Sequence, residues 1–245
     1  MALMRTSNPT LSENAFRMEH ALGEGMTISG AVNKTGILLI CVVATAAWSW
    51  SRFVDSPETA LPLVGVGVIG GFILALVTVF KKAWSPVTAP LYALLEGLAL
   101  GCISAVYEAR LHGIVLQAIG LTFGTLLALL LAYRSGLIRA TENFKLGVVA
   151  ATGGIAVLYL VEFALGFFGI RFAAINGSGG IGIVFSVVVV IVAALNLVLD
   201  FDFIENGARI GAPKYMEWYA AFGLMVTLIW LYLEILRLLA KARRR

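Results

Sequence analysis

The chain has 245 residues, 60% of them hydrophobic and only 13% charged, with a formal net charge of +4. A mean hydropathy of +0.94 excludes an ordinary soluble globular domain. The basic excess does not point to nucleic acid, because Lys and Arg sit in short connections and in the terminal Arg243, Arg244 and Arg245, where such residues orient membrane spans and meet anionic lipid.

Residues 1–34 form a polar N-terminal tail with Glu13, Glu19 and Glu24 among its basic residues, and they lack the apolar core of a cleavable signal. A loosely ordered tail is expected there, with a short amphipathic helix over residues 12–22 as the other reading. Apolar stretches follow at 35–50, 61–80, 87–107, 113–133, 146–168, 181–199 and 218–239. About 20 residues at ~1.5 Å rise cross a ~30 Å hydrocarbon core, so the first and sixth stretches are marginal and the others ample. Backbone groups must be paired in lipid, and the alternating pattern of a membrane barrel is missing, so the spans are read as helices. The expected fold is all-α: a polytopic membrane bundle of seven transmembrane helices over residues 35–240, with short loops that make neighbours antiparallel and a basic tail at 241–245.

With the N-terminus inside, Arg5, Arg17, Lys34, Lys81, Lys82, Arg134, Arg139, Lys145, Arg209 and Lys214 are cytoplasmic, and the outer loops hold Arg52, Arg110 and Arg171. That bias favours a cytoplasmic N-terminus. Seven spans then put Arg237, Lys241 and the terminal arginines outside, against the rule. A re-entrant sixth stretch would return the end to the inside.

Gly65, Gly67 and Gly70 spell GxGxxG, but inside a span, with no strand before them, they are not a dinucleotide site. The pairs Gly67 and Gly71, Gly97 and Gly101, and Gly120 and Gly124 read as GxxxG packing faces that let helix backbones approach. Cys41 and Cys102 lie in apolar spans, and His20 and His112 have no ligand-spaced companion, so neither a disulfide framework nor a four-ligand metal site is supported. No catalytic constellation is present, and the chain does not read as an enzyme.

Carboxylates at membrane depth cost ~2.5–3.5 kcal/mol each on insertion scales. Glu96 lies mid-way along the third span with no basic residue within a turn, and Glu162 in the outer part of the fifth. Asp200, Asp202 and Glu205 close the sixth, and Glu234 lies late in the seventh, three residues before Arg237. Helical spacing puts Asn196 and Asp200 on one face and pairs Asp202 with Glu205. Asp200 is the inward-facing candidate, although aspartates here also fit the point where a helix leaves the membrane. Glu234 and Arg237 fit an exposed interfacial pair.

The Leu199-Asp200-Phe201-Asp202-Phe203-Ile204-Glu205 segment after a valine-rich sixth span, and the final stretch from Trp230 to Leu239, resemble the Bax inhibitor-1 family. Ser7-Asn8-Pro9-Thr10-Leu11 and Met26-Thr27-Ile28-Ser29-Gly30 resemble a bacterial branch of it. The resemblance covers essentially the whole chain. It implies a bundle with the last span central and the others around it in two groups, and a pH-sensitive calcium leak gated by two aspartates on the last two spans. Some bacterial members bind and restrain a membrane protease. Asp200 matches the first aspartate, which in the family usually stands in a Tyr-Asp-Thr-Gln-like segment; here Phe201 and Asp202 follow it, a departure. For the second position, aligning Leu231-Tyr232-Leu233-Glu234 selects Glu234, whereas aligning the last residues of the span selects Thr227, the preferred choice. Asp202, Glu205 or Glu96 would then be the acidic neighbour of Asp200.

The expected function is a proton-sensitive leak for a hard cation, with calcium as the transported ion and no bound cofactor. Two close carboxylates sharing a proton would set the pH response. The alternative is a non-transporting regulator that holds a membrane protease or another integral partner, the N-terminal tail being one place for it to bind. In either case the setting is the lipid bilayer of a bacterial plasma membrane.

Overall fold

The computed structural model describes residues 25–169, 172, 175 and 177–244. Its long helices are α1 (Ile28–Asp55), α2 (Ala60–Phe80), α3 (Ser85–Arg110), α4 (Ile114–Arg134), α5 (Glu142–Gly166), α6 (Gly180–Arg209) and α7 (Met216–Arg243), with single 3-10 turns at Pro57–Thr59 and Lys82–Trp84. Seven helices are long and apolar enough to cross a membrane.

The two marginal spans are in fact long. α1 has 28 residues because the Thr27 hydroxyl accepts from the Gly30 backbone N–H and starts the helix before the apolar run. Residues 28–34 therefore belong to the bundle and not to the tail, and Ala31 is fully buried. α6 has 30 residues and continues through Asp200, Asp202 and Glu205 to Arg209. It is a continuous span, not a re-entrant loop; Asp202 and Glu205 find partners on neighbouring helices, and none of the three carboxylates ends the helix. α7 likewise runs past 240, and Lys241 is buried within it, so the C-terminal tail does not begin at 241. The segment 12–22 and His20 lie outside the described residues.

α7 is the central helix. It packs on α1 and α3 to one side and on α4 and α6 to the other. Leu224, Leu228, Leu231 and Ile235 enter one core with Ile114, Ala118, Leu197 and Phe201. Ala221, Phe222, Met225 and Ile229 enter a second with Leu38, Val42, Tyr92 and Ala93. Two faces of one helix thus join two groups: α1 to α3, where α2 leans on α3, and α4 to α6, where α5 leans on α6.

Apolar side chains gain little from leaving lipid for one another, so close backbone approach carries much of the packing. α1 lies so near α3 that a β-carbon at Gly97 would overlap the Thr45 hydroxyl, and one at Gly101 the Ala46 carbonyl and the Ser49 hydroxyl. At Gly67 it would stand 2.7 Å from the Leu95 carbonyl oxygen, and at Gly71 2.8 Å from Glu96 Oε1. Gly120 and Gly124 are different: nothing lies within 4 Å of a β-carbon there. Ile114, Ala118 and Thr122 turn the inner face of α4, and a residue two positions further points to the opposite side. These two glycines are therefore lipid-facing in the monomer. Gly101→Leu is expected to lower stability by about 1–3 kcal/mol through overpacking, and Gly124→Leu by much less; thermal unfolding in detergent monitored by size exclusion compares them.

Candidate functional site

Asp200 lies on α6 where it faces α7. Its Oδ1 is 3.8 Å from the point where a β-carbon on Gly223 would sit, and the Thr227 hydroxyl is its side-chain neighbour. The absence of a side chain at Gly223 makes the space. Asp200 Oδ2 is buried and has no hydrogen-bond partner among the described residues. A buried carboxylate oxygen left unpaired is costly in this medium. The site is relieved by a proton on the carboxyl group or by a cation beside it.

The other candidate carboxylates do not join Asp200. Asp202 sits 2.9 Å from Lys145 Nζ on α5 and accepts from Asn206 at 2.8 Å. Glu205 accepts from the Tyr133 hydroxyl of α4 at 2.6 Å. Neither the expected Asp202 and Glu205 pairing nor an acidic neighbour for Asp200 forms among these residues, because each carboxylate finds a donor on an adjacent helix. Glu96 is bonded to the Tyr92 hydroxyl one turn earlier, and Tyr92 stacks edge-on against Phe222 of α7 at 5.0 Å. Asn196 donates to the Thr152 hydroxyl of α5 at 2.8 Å, so it flanks Asp200 without bonding to it. Four residues advance a helix by about 40° beyond a full turn, enough to aim the two at different neighbours.

Glu234 does pair with Arg237, at 3.0 Å, but not as an exposed couple. The carboxylate is 2% exposed and also accepts from the Tyr159 hydroxyl of α5 at 2.9 Å. Beyond it, Lys241 Nζ donates to the Ile175 carbonyl at 2.7 Å, the Gly182 carbonyl at 3.2 Å and the Ser186 hydroxyl at 2.9 Å. The ammonium is thereby bound three times.

Glu217 was not singled out by the sequence. It is fully buried at the start of α7, where its Oε1 accepts from the Thr27 backbone N–H and hydroxyl, both at 2.9 Å. Lys214 stands 3.2 Å away, and Lys34 is ion-paired to Oε2. Only a glycine at position 30 admits that carboxylate against α1. The Met26 backbone N–H donates to the Ala212 carbonyl at 2.7 Å, and the Ser85 hydroxyl to the Tyr215 carbonyl at 2.9 Å. The starts of α1, α3 and α7 meet here. Only the placement of Lys34 and Glu217 at helix starts hinted at this, and it does not say which helices touch.

Among the described residues, no group of three or more His, Cys, Asp or Glu could hold a metal ion. One carboxylate with a hydroxyl suits brief cation contact rather than a tight calcium cage, which takes six to eight oxygens. A cavity of about 460 Å³ between α1, α3, α4 and α7 is lined by residues such as Val42, Leu100, Ile119 and Leu228 and by no charged side chain. It is therefore no path for a bare cation.

The family model described as Bax inhibitor 1 like matches residues 8–244. The chain belongs to that family. Comparison with curated proteins brings out no matching relative.

Glu217→Ala would leave Lys34 and the capped start of α1 without their buried acceptor, with an expected loss of about 3–5 kcal/mol. Glu217→Gln keeps an acceptor oxygen and should lose less. Thermal unfolding of the purified variants in detergent ranks them.

Proposed function

We propose that this Bax inhibitor 1 like membrane protein provides a proton-sensitive leak for a hard cation, calcium being the ion of choice, and that Asp200 is its titrating group. The observation that carries this reading is the buried, unpartnered Asp200 Oδ2 at the interface of α6 with the central helix. Glu96, Asp202, Glu205, Glu217 and Glu234 each have a donor on their own or a neighbouring helix. Protonation or cation contact at Asp200 changes the charge facing Gly223 and Thr227 and thereby the fit of α6 on α7. Thr227 occupies the position of the second acid in this reading, so Asp200 titrates as a single site with a hydroxyl beside it. The bias of Lys and Arg toward one set of loops supports a plasma-membrane protein with a cytoplasmic N-terminus. No catalytic step is involved.

A second reading has the chain restrain a membrane protease or another integral partner through its N-terminal tail. What favours it is the tie of Met26 to Ala212 and of Thr27 to Glu217, through which a partner holding the tail would pull directly on α7.

Calcium flux into liposomes from purified protein separates the readings. In the leak reading a single-site titration changes flux by at most about tenfold per pH unit. Asp200→Asn mimics the protonated carboxyl at every pH, so its flux should be flat and fixed at the level that the wild type reaches in acid. Thr227→Asp creates two neighbouring carboxyls that share a proton, and should split the pH profile into two steps. A wild-type pH profile in a folded Asp200→Asn protein would sink the assignment.

A further inference from the structure

α5 is attached differently from its neighbours. It packs chiefly on α6, and Val148 and Ile155 are its buried residues. The Tyr159 ring also meets Phe185 of α6 edge-on at 6.4 Å, and its remaining ties are polar, at three depths. Lys145 meets Asp202 at 2.9 Å, Thr152 accepts from Asn196 at 2.8 Å, and the Tyr159 hydroxyl donates to Glu234 at 2.9 Å while accepting from Arg237 at 2.8 Å. Lys145, Thr152 and Tyr159 follow one another at a spacing of seven, about 10 Å per step, on one helix face. Val148 and Ile155 fill the gaps between them. Val149, Val157, Leu160 and Phe163 on the other faces are exposed to lipid.

Apolar packing gives a lipid-bathed helix little reason to prefer its neighbour to the acyl chains. The polar ties therefore decide whether α5 stays docked, and each is a bond that water can replace. When α5 tilts away, the groups left on α6 and α7 form a file of Asp202, Asn196, Glu234 with Arg237, and Lys241 with Ser186. Lys145 and Glu162, which acts electrostatically on Lys241, face this file from α5. The charges along it are paired level by level, Lys145 with Asp202, Arg237 with Glu234 and Glu162 acting on Lys241, so no single sign repels a passing ion along its length. Asp200 follows Asn196 by one turn on the adjoining arc of α6, at the edge of this file.

We infer that the hydrophilic route through the bundle runs along the seam between α5 and α6, and that α5 is the wall that moves to admit water and cations. This rests on the leak reading above and names its path. No charged side chain lines the apolar cavity on the far side of α7, whereas charged and polar side chains follow the seam at each depth.

The test uses the full chain in liposomes with Cys41 and Cys102 replaced by alanine. Thr152→Cys and Val148→Cys, both seam-facing, should react with a charged, water-soluble methanethiosulfonate about tenfold faster or more than lipid-facing Val157→Cys, because a charged reagent is excluded from lipid. Equal, slow labelling of all three overturns the inference whatever the flux. A short bifunctional methanethiosulfonate joining Thr152→Cys to Asn196→Cys should then block calcium flux, and a reductant should restore it. Unchanged flux in the cross-linked protein places the route elsewhere and overturns the inference. If the protein carries no flux before cross-linking, the leak reading fails, and the labelling rates alone still decide whether the seam opens to water.

Discussion

Charge inside a low-dielectric slab is the constraint on which this molecule is built. Removing a carboxylate or an ammonium from water is unfavourable by several kcal/mol, and only a well-placed counter-group offsets it. The central helix nonetheless carries Glu217, Glu234, Arg237 and Lys241. Each of these is matched by a group on another helix or one turn away, so the charges fix which helices surround α7 and in what register. Apolar cores fill the space between, but a Leu contact is indifferent to a slide of one turn; the pairs of Glu217 with Lys34 and of Glu234 with Tyr159 are not.

Seen along α7, the ends are satisfied and the middle is not. At one end Glu217 accepts from the Thr27 backbone N–H and hydroxyl just before α1, and at the other Lys241 is bound by carbonyls from the connection before α6 and from its first turn. Between them Thr227 and Gly223 present a hydroxyl and a gap to Asp200. The ends of α7 are thus well paired, and a buried carboxylate oxygen without a partner among the described residues lies against its middle. In the leak reading proposed above, a proton or a cation at this point acts on the fit of the last two helices.

The fold was legible because hydropathy over some twenty residues reports directly on membrane crossing. The family resemblance added the central position of the last helix. Boundaries were misread at both polar ends of the spans: Lys34 and Lys241 look like solvated residues in a string, and only their partners, Glu217 and Ser186, make them interior. The small-residue motif was a correct guide at Gly67, Gly71, Gly97 and Gly101 and a poor one at Gly120 and Gly124, since spacing shows that a backbone permits approach and not that another helix takes the offer. Asp202 and Glu205 were paired with each other by nearness in sequence, and Glu96 was offered only as an acidic neighbour of Asp200. Those residues in fact bond to Lys145, Tyr133 and Tyr92, and for Asp202 and Glu205 the donor lies more than fifty positions away, a distance that periodicity does not bridge.

The two groups around α7 differ in kind. α1 and α3 are joined at backbone distance through glycines, a contact that tolerates no sliding and that water cannot replace. α5 is joined to α6 through a side-chain hydrogen bond and an ion pair and to α7 through the Tyr159 hydroxyl, contacts that are specific while dry and exchangeable once wet. In the seam reading proposed above the polar half yields first, because its ties can pass to water and the glycine contacts cannot. Asp200 sits on α6, between the central helix and the exchangeable wall, so a change in its charge acts on both the contact that must hold and the contact that can give.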